Sequence, residues 1–433
     1  MLGFIKALLA KVGQRNLINF VSYFFSKALS LALFAVAVAH FVTRSGDHAY
    51  GIVSIMLLLY VYLQQVDMGM GYAVIYRLGR AVSRGSRSHE RIAAEAMPIY
   101  LACSAVIGVT LALLARPMSV ALLNDAAYSN LFRLAGLGAS LLIISSLCVA
   151  VMQAYNRVYY VNLSRLMFDV VKAVALIASA GTTGGLEMVL WITMIGAIGK
   201  LALDIFLASH LLGTAAWLWP KTSRRALILN IRVGAPMFVS SLSFALINSV
   251  DKIVVTKLFS PATLGVYSIA VDLHGKAFFL IWAVTGSLYT LLIQRQARRQ
   301  NVRGLILFAC TAALGIVIVY YVPLAVFAHE ILAIWINDDF AEKGYGLLRW
   351  LLIPSCLYMT ANIMEVYLQT AGEAKRLGWV YAIALVVELV GLAILPKRFG
   401  IVGVVWAVSI MYLSLVACLG ILVRAKYKIR RKG

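Results

Sequence analysis

"SVDKIVVTKLFSPATLGVYSIAVDLHGK", Ser249–Lys276, sets Asp251, Lys252, Lys257, Asp272, His274 and Lys276 between long apolar segments. Six ionisable residues in so apolar a neighbourhood need water, partners or a task. The rest of the chain makes the contrast sharper, because 62% of its 433 residues are hydrophobic and only 13% are charged. Soluble domains run at about 45–50% apolar and about 25% charged. One water-soluble core cannot hide that much apolar surface, so a bilayer is the expected solvent.

Working outward from this stretch, apolar spans of about 20 residues recur along the whole chain, the length a helix needs to cross a membrane. Twelve are expected, the first near Leu17–Val42, the seventh near Arg232–Leu258, the eighth near Ala262–Ile293 and the last near Ile401–Val423. The seventh and eighth hold the opening stretch and are parted by "FSPA", where Pro261 breaks the helix. The fold class is therefore an all-α integral membrane protein.

The formal charge of +22 does not point to nucleic acid, because the cations sit in short loops between spans. Arg77–Arg91, Lys221–Arg225, Arg295–Arg303, Lys375–Arg376 and the tail from Arg424 fall on one side; the other side holds little beyond Arg44, Arg116, Lys343, Lys397 and Arg398. The positive-inside bias puts the first set, and both termini, in the cytoplasm. "MLGFIKALLAKVGQRN" reads as an amphipathic segment on that membrane surface. All five cysteines lie in apolar runs without CxxC spacing, so no metal or redox site is expected. No Walker A, HExxH or GxSxG motif occurs, so neither an enzyme nor a resident cofactor is expected.

A repeat lies under the apolar background. "YGIVSI" (Tyr50–Ile55) matches "LGVYSI" (Leu264–Ile269), "GLEMVLW" (Gly185–Trp191) matches "GIVGVVW" (Gly400–Trp406), and Gln153 matches Gln369. All three pairings share an offset near half the chain length, which points to duplication. Six spans per copy is an even number, so the copies keep one orientation and form two six-helix bundles about a pseudo-two-fold axis along the membrane normal. The expected organisation is an amphipathic segment at 1–16, bundles at 17–212 and 232–423, a cytoplasmic linker at 213–231 and a basic tail at 424–433.

A charge deep in a span costs at least ~2.5–3.5 kcal/mol on insertion scales, so each one needs an account. Asp251, Lys252 and Lys257 close the seventh span, where a solvated rim would explain them. Asp272 and Lys276, at i,i+4, can neutralise each other or line a wet cavity. His274 beside them could titrate near neutral pH, but a lone histidine is more often a hydrogen-bonded structural residue. Lys27 has no acid at i±3 or i±4 along its own span, and Asp67 is a candidate partner from the second. Arg165, Asp169 and Lys172 share one helical face, and Lys200 pairs with Asp204. Glu365 and Glu388 lie in the tenth and eleventh spans without a cation partner at i±3 or i±4 and are proton or sodium candidates.

"DKIVVTKLFSPATLGVYSIA" resembles the start of the second half of polysaccharide transporters in the multidrug/oligosaccharidyl-lipid/polysaccharide exporter superfamily, and "RFGIVGVVWA" resembles their last span. The best match is the O-antigen and exopolysaccharide repeat-unit flippases. The resemblance implies a cavity lined by spans one, two, seven and eight, here including Lys27, Asp67, Asp251, Asp272, His274 and Lys276. It implies that an undecaprenyl-pyrophosphate-linked oligosaccharide crosses the bacterial inner membrane, with membrane lipids and the polysaccharide polymerase and chain-length machinery as partners. Lys stands at Lys27 and Lys276 where lipid II flippases use cavity arginines, and the chain stops after the twelfth span, both of which weigh against lipid II. A drug exporter of the same superfamily, or a non-transporting scaffold, stays open on the residues alone.

Overall fold

The computed structural model describes residues 14–63, 70–84, 88–221, 223–276, 278, 280–282, 284–285, 288, 292, 301–371 and 373–432. Among these residues the secondary structure is helical, with no strand. In order, the helices are α1 (Gln14–Tyr62), α2 (Met70–Ser83), α3 (His89–Leu123), α4 (Ser129–Ala154), α5 (Val158–Ser179), α6 (Gly185–Leu212), α7 (Arg224–Ile247), α8 (Val250–Leu258), α9 (Pro261–Lys276), α10 (Arg303–Ile316), α11 (Val322–Val326), α12 (Ala328–Trp335), α13 (Asp338–Thr370) and α14 (Ala374–Lys432). A π-helical turn, Val317–Tyr321, separates α10 from α11.

Eight helices are long and apolar enough to cross a membrane among the described residues. Two of these stretches, Val21–Val61 and Arg376–Ala425, are 41 and 50 residues long. At about 1.5 Å per residue, each is far longer than a ~30 Å hydrocarbon core. Both are broken by a glycine, Gly46 at φ 83° and Gly400 at φ 59°, so each is two helices joined by a sharp turn. Charge keeps α5 out of the eight, because it carries Arg165, Asp169 and Lys172. The expected seventh span is not one helix: α7 ends at Ile247, Ser249 is non-helical, and α8 begins at Val250.

The outer surface fits lipid rather than water. Leu113 is 74% exposed, Phe206 67%, Val319 77% and Ile421 66%. Helices satisfy their own backbone polar groups, which is why they can present such side chains to a bilayer.

The chain forms two compact units. One holds residues 1–45 and 55–241, the other 46–54 and 242–433. In the first, Met70, Val74 and Leu78 of α2 pack with Ala93, Met97 and Tyr100 of α3 and with Ile143, Leu147 and Val151 of α4. The segment after α6 folds back onto this core: Trp217 is fully buried, its indole N–H donates to Ser209 Oγ at 3.0 Å, and the Lys221 amide donates to the Ala94 carbonyl at 3.1 Å. In the second unit, α13 packs against α9, α12 and α14.

The internal repeat is visible in local geometry. Helix α4 ends at Tyr155 (φ −83°, ψ 4°), whose amide donates to the carbonyls of Gln153 and Val151. Helix α13 ends at Ala371 (φ −81°, ψ 2°), whose amide donates to those of Gln369 and Tyr367. The repeat partners Gly51 and Gly265 lie within the second unit, where each backbone comes close to the segment holding the other. A Cβ on Gly51 would strike the Pro261 carbonyl, and one on Gly265 would strike the Asp47 carbonyl.

Candidate functional site

In the second unit the opening stretch folds into a helical hairpin, α8 and α9. Ser249 sits at the break and donates its hydroxyl to the Ala245 carbonyl at 2.7 Å. Asp251 follows in the first turn of α8, where the positive end of a helix favours an anion. One carboxylate oxygen accepts the Lys252 amide at 2.7 Å and the other accepts the Tyr267 hydroxyl at 2.6 Å. Asp251 and Lys252 are buried and Lys257 is exposed. The solvated-rim account fails for Asp251 and Lys252, which are buried on α8 where it packs against α9 and α14.

Lys252 reaches Asp272 on α9, Nζ to Oδ1, at 3.2 Å. Tyr50, buried, hydrogen-bonds the same carboxylate. Asp272 is thus neutralised from a neighbouring helix. The side chain of Lys276, expected as its partner at i,i+4, lies outside the described residues, as does Asp67.

His274 is buried. Its Nδ1 meets Ser355 Oγ at 2.6 Å, and that hydroxyl also contacts the Leu351 carbonyl at 2.8 Å. The backbone carbonyls of Leu273 and His274 accept the hydroxyls of Tyr320 and Tyr321 at 2.8 and 3.1 Å. Both tyrosines come from the π-helical turn, a distortion common where side chains need special placement. With Phe278 edge-on at 5.7 Å, the imidazole is held on several sides and fits the structural reading.

The two candidate acids separate clearly. Glu365 accepts Gln369 Nε2 at 2.8 Å and the Tyr381 hydroxyl at 2.6 Å. Glu388, on α14, is fully buried, and neither carboxyl oxygen has a hydrogen-bond partner among the described residues. Helix α14 packs on α8, and Glu388 lies in electrostatic range of Asp251 and Tyr267. Buried polar groups are nearly always satisfied, so an orphaned carboxyl beside a second carboxyl asks for a proton or a cation.

In the first unit Lys27 is half-buried on α1. The acid missing along its own helix comes from α5. Asp169 lies in electrostatic range of Lys27, takes the Ser30 hydroxyl at 2.6 Å, and pairs with Lys172 at 2.6 Å. Sequence reading placed Asp169 on the right face but not beside Lys27, since helical spacing does not reveal neighbours across helices. A sealed pair lies deeper: Lys200 Nζ contacts Asp204 Oδ2 at 2.5 Å and Ser145 Oγ at 2.7 Å, with side-chain exposures of 4% and 0% for the pair. Among the described residues, no group of His, Cys, Asp and Glu could hold a metal ion by ligand count.

Residues 45–285, more than half of the chain, match the family described as "Polysaccharide biosynthesis protein". The chain belongs to that polysaccharide biosynthesis protein family. No curated protein sequence matches it. Solved structures resemble this family member over nearly their whole length. A multidrug resistance MATE family transporter of the MOP superfamily, in an inward-facing conformation, aligns with TM-score 0.76 at 14% identity, covering 93% of this chain and 99% of that one. The lipid II flippase MurJ, inward closed, aligns with TM-score 0.70 at 12% identity, covering 94% and 87%. A MOP superfamily transporter from Pyrococcus furiosus aligns with TM-score 0.65 at 15% identity, covering 94% and 96%. At such identities the likeness is one of fold: a polysaccharide biosynthesis protein shares the helical fold of MATE and MurJ.

Proposed function

We propose that this protein is a flippase, carrying an undecaprenyl-pyrophosphate-linked oligosaccharide repeat unit from the cytoplasmic to the periplasmic leaflet by alternating access. The observation that carries this reading is the family match, made by a chain with the MOP transporter scaffold. Polysaccharide assembly joined to that scaffold calls for moving a glycan across a bilayer, and a hydrophilic glycan crosses only while its charged anchor is sheltered. A diphosphate needs cations, and lysine supplies one as a compact point charge.

Lys27 and Lys276, each within its own unit, are the cations proposed to engage the diphosphate. Asp272, Asp251, His274 and Asp67 would adjust the field around them, with Asp169 limiting the charge of Lys27. Glu388 with Asp251 is the proposed coupling site, where entry of a proton or sodium ion satisfies the orphaned carboxyl. Glu365, already hydrogen-bonded twice, is the weaker coupling candidate. The setting is the bacterial inner membrane, with both termini cytoplasmic, and the product would pass to the polymerase and chain-length machinery. The test is deletion of the gene in its host, which should stop surface polysaccharide and strand its lipid-linked unit on the cytoplasmic leaflet. Unchanged polysaccharide with new drug sensitivity would instead identify an exporter.

A further inference from the structure

Within the first unit, a cavity of ≈ 700 Å³ is bounded by the ends of α2, α3 and α7. Arg77, Arg80 and Arg84 reach it from α2 and the turn after it, Arg232 from α7, with Tyr76, Ser88 and Leu229 between them. No acidic side chain lines it among the described residues. The neighbouring carboxylate, Glu95, is already shared by Arg77 at 2.6 Å and Arg91 at 2.9 Å. Arg77 is fixed a second time, donating to Asn230 Oδ1 at 2.8 Å. Asn230 is fully buried, and its amide nitrogen has no hydrogen-bond partner among the described residues.

Topogenic charge explains why arginines stand on this side of the membrane. It does not require four of them to converge from two helices on one hollow. Convergent guanidinium groups repel one another unless an anion joins them, and their forked donors match phosphate oxygens. Ser88 precedes the first residue of α3, a 35-residue helix, so the positive end of its dipole adds to the same field. Apolar side chains flank the cations: Ile228, Leu229 and Ile231 of α7 are 56%, 43% and 42% exposed. Exposed aliphatic residues beside arginines describe a membrane interface rather than a site facing open water.

We propose that this cavity binds a phosphate group, presented by an anionic lipid of the leaflet it faces. Lys27, Lys276 and Glu388 take no part, so the proposal stands apart from the transport reading. It can be tested on the purified full-length chain in detergent with dioctanoyl phosphatidylglycerol, measuring equilibrium binding with and without inorganic pyrophosphate. Saturable binding that pyrophosphate displaces is expected. The triple variant Arg80→Gln, Arg84→Gln, Arg232→Gln should weaken it by about a hundredfold, at roughly 1 kcal/mol per interfacial arginine. An equal charge loss in the tail, Arg424→Gln, Lys426→Gln, Lys428→Gln, should change it by less than about twofold on the same scale. Pyrophosphate binding without lipid binding would keep the phosphate site and assign it to a soluble source. If the triple variant aggregates, the exposed Arg84→Gln alone should still weaken binding by about fivefold. Failure of both probes to bind saturably, or equal weakening by the cavity and tail variants, would overturn the proposal.

Discussion

Ser54 and Ser268, equivalent positions of the internal repeat, share a hydrogen bond with their hydroxyl oxygens 3.0 Å apart. Residue meeting its own repeat partner is the signature of a two-fold relation between two segments. Here it joins the second half of α1 to α9, within the second unit.

This contact predicts a cross-link. With the five native cysteines replaced, Ser54→Cys with Ser268→Cys should form a disulfide under mild oxidation, because side-chain atoms this close suit the required Cβ separation of about 3.8 Å. A gel shift after cleavage at a protease site engineered near residue 222 would show the two halves staying joined. Full separation of the halves would refute the contact. Gly51→Leu should destabilise the fold by about 1–3 kcal/mol or more through collision with the Pro261 carbonyl, read as a lowered melting temperature.

The Lys200–Asp204 pair should be structural. Lys200→Met alone leaves a buried, uncompensated carboxylate and should cost about 3–5 kcal/mol. Adding Asp204→Leu removes the stranded charge and should recover most of the loss, with transport retained. Thermal melting of both variants checks this, and a double variant as unstable as the single one would count against it.

Glu388→Gln should insert and fold normally while uncoupling transport from its driving ion. In proteoliposomes, wild-type flux should depend on an imposed proton or sodium gradient, and the variant should lose that dependence. Glu365→Gln, whose carboxyl is already satisfied, should keep it. Matched gradient dependence in wild type and Glu388→Gln would remove Glu388 from the coupling role.

Lys27→Ala and Lys276→Ala should each strongly reduce transport at normal membrane levels, and Lys→Arg should preserve part of it, since charge survives while geometry changes. Lys276→Ala combined with Asp272→Ala should remain inactive. The structure adds a reason: Asp272 already has a cation in Lys252, so Lys276 is not needed to neutralise it. Restored transport in the double variant would make Lys276 a structural partner instead.

The bilayer class and the repeat are legible in sequence because both are written in one dimension, as apolar run length and as a fixed offset. Gly46 and Gly400 sit between apolar runs, where a turn is needed. The site is less legible because its partnerships cross helices. Spacing could suggest Lys200 with Asp204 on one helix, and that pair forms. It could not bring Lys252 to Asp272, Asp169 to Lys27, or Tyr267 to Asp251. The burial of Asp251 was hidden by a continuous apolar stretch that gives no sign of the break at Ser249.

The most direct measurement is flipping itself, by purified protein in liposomes. An undecaprenyl-pyrophosphate-linked repeat unit is placed in one leaflet, and its exposure to a membrane-impermeant glycosidase on the other side is followed. The transport reading predicts time-dependent cleavage with wild-type protein and little with Lys27→Ala. Cleavage no faster than in protein-free liposomes, from protein that is folded and correctly inserted, would contradict it.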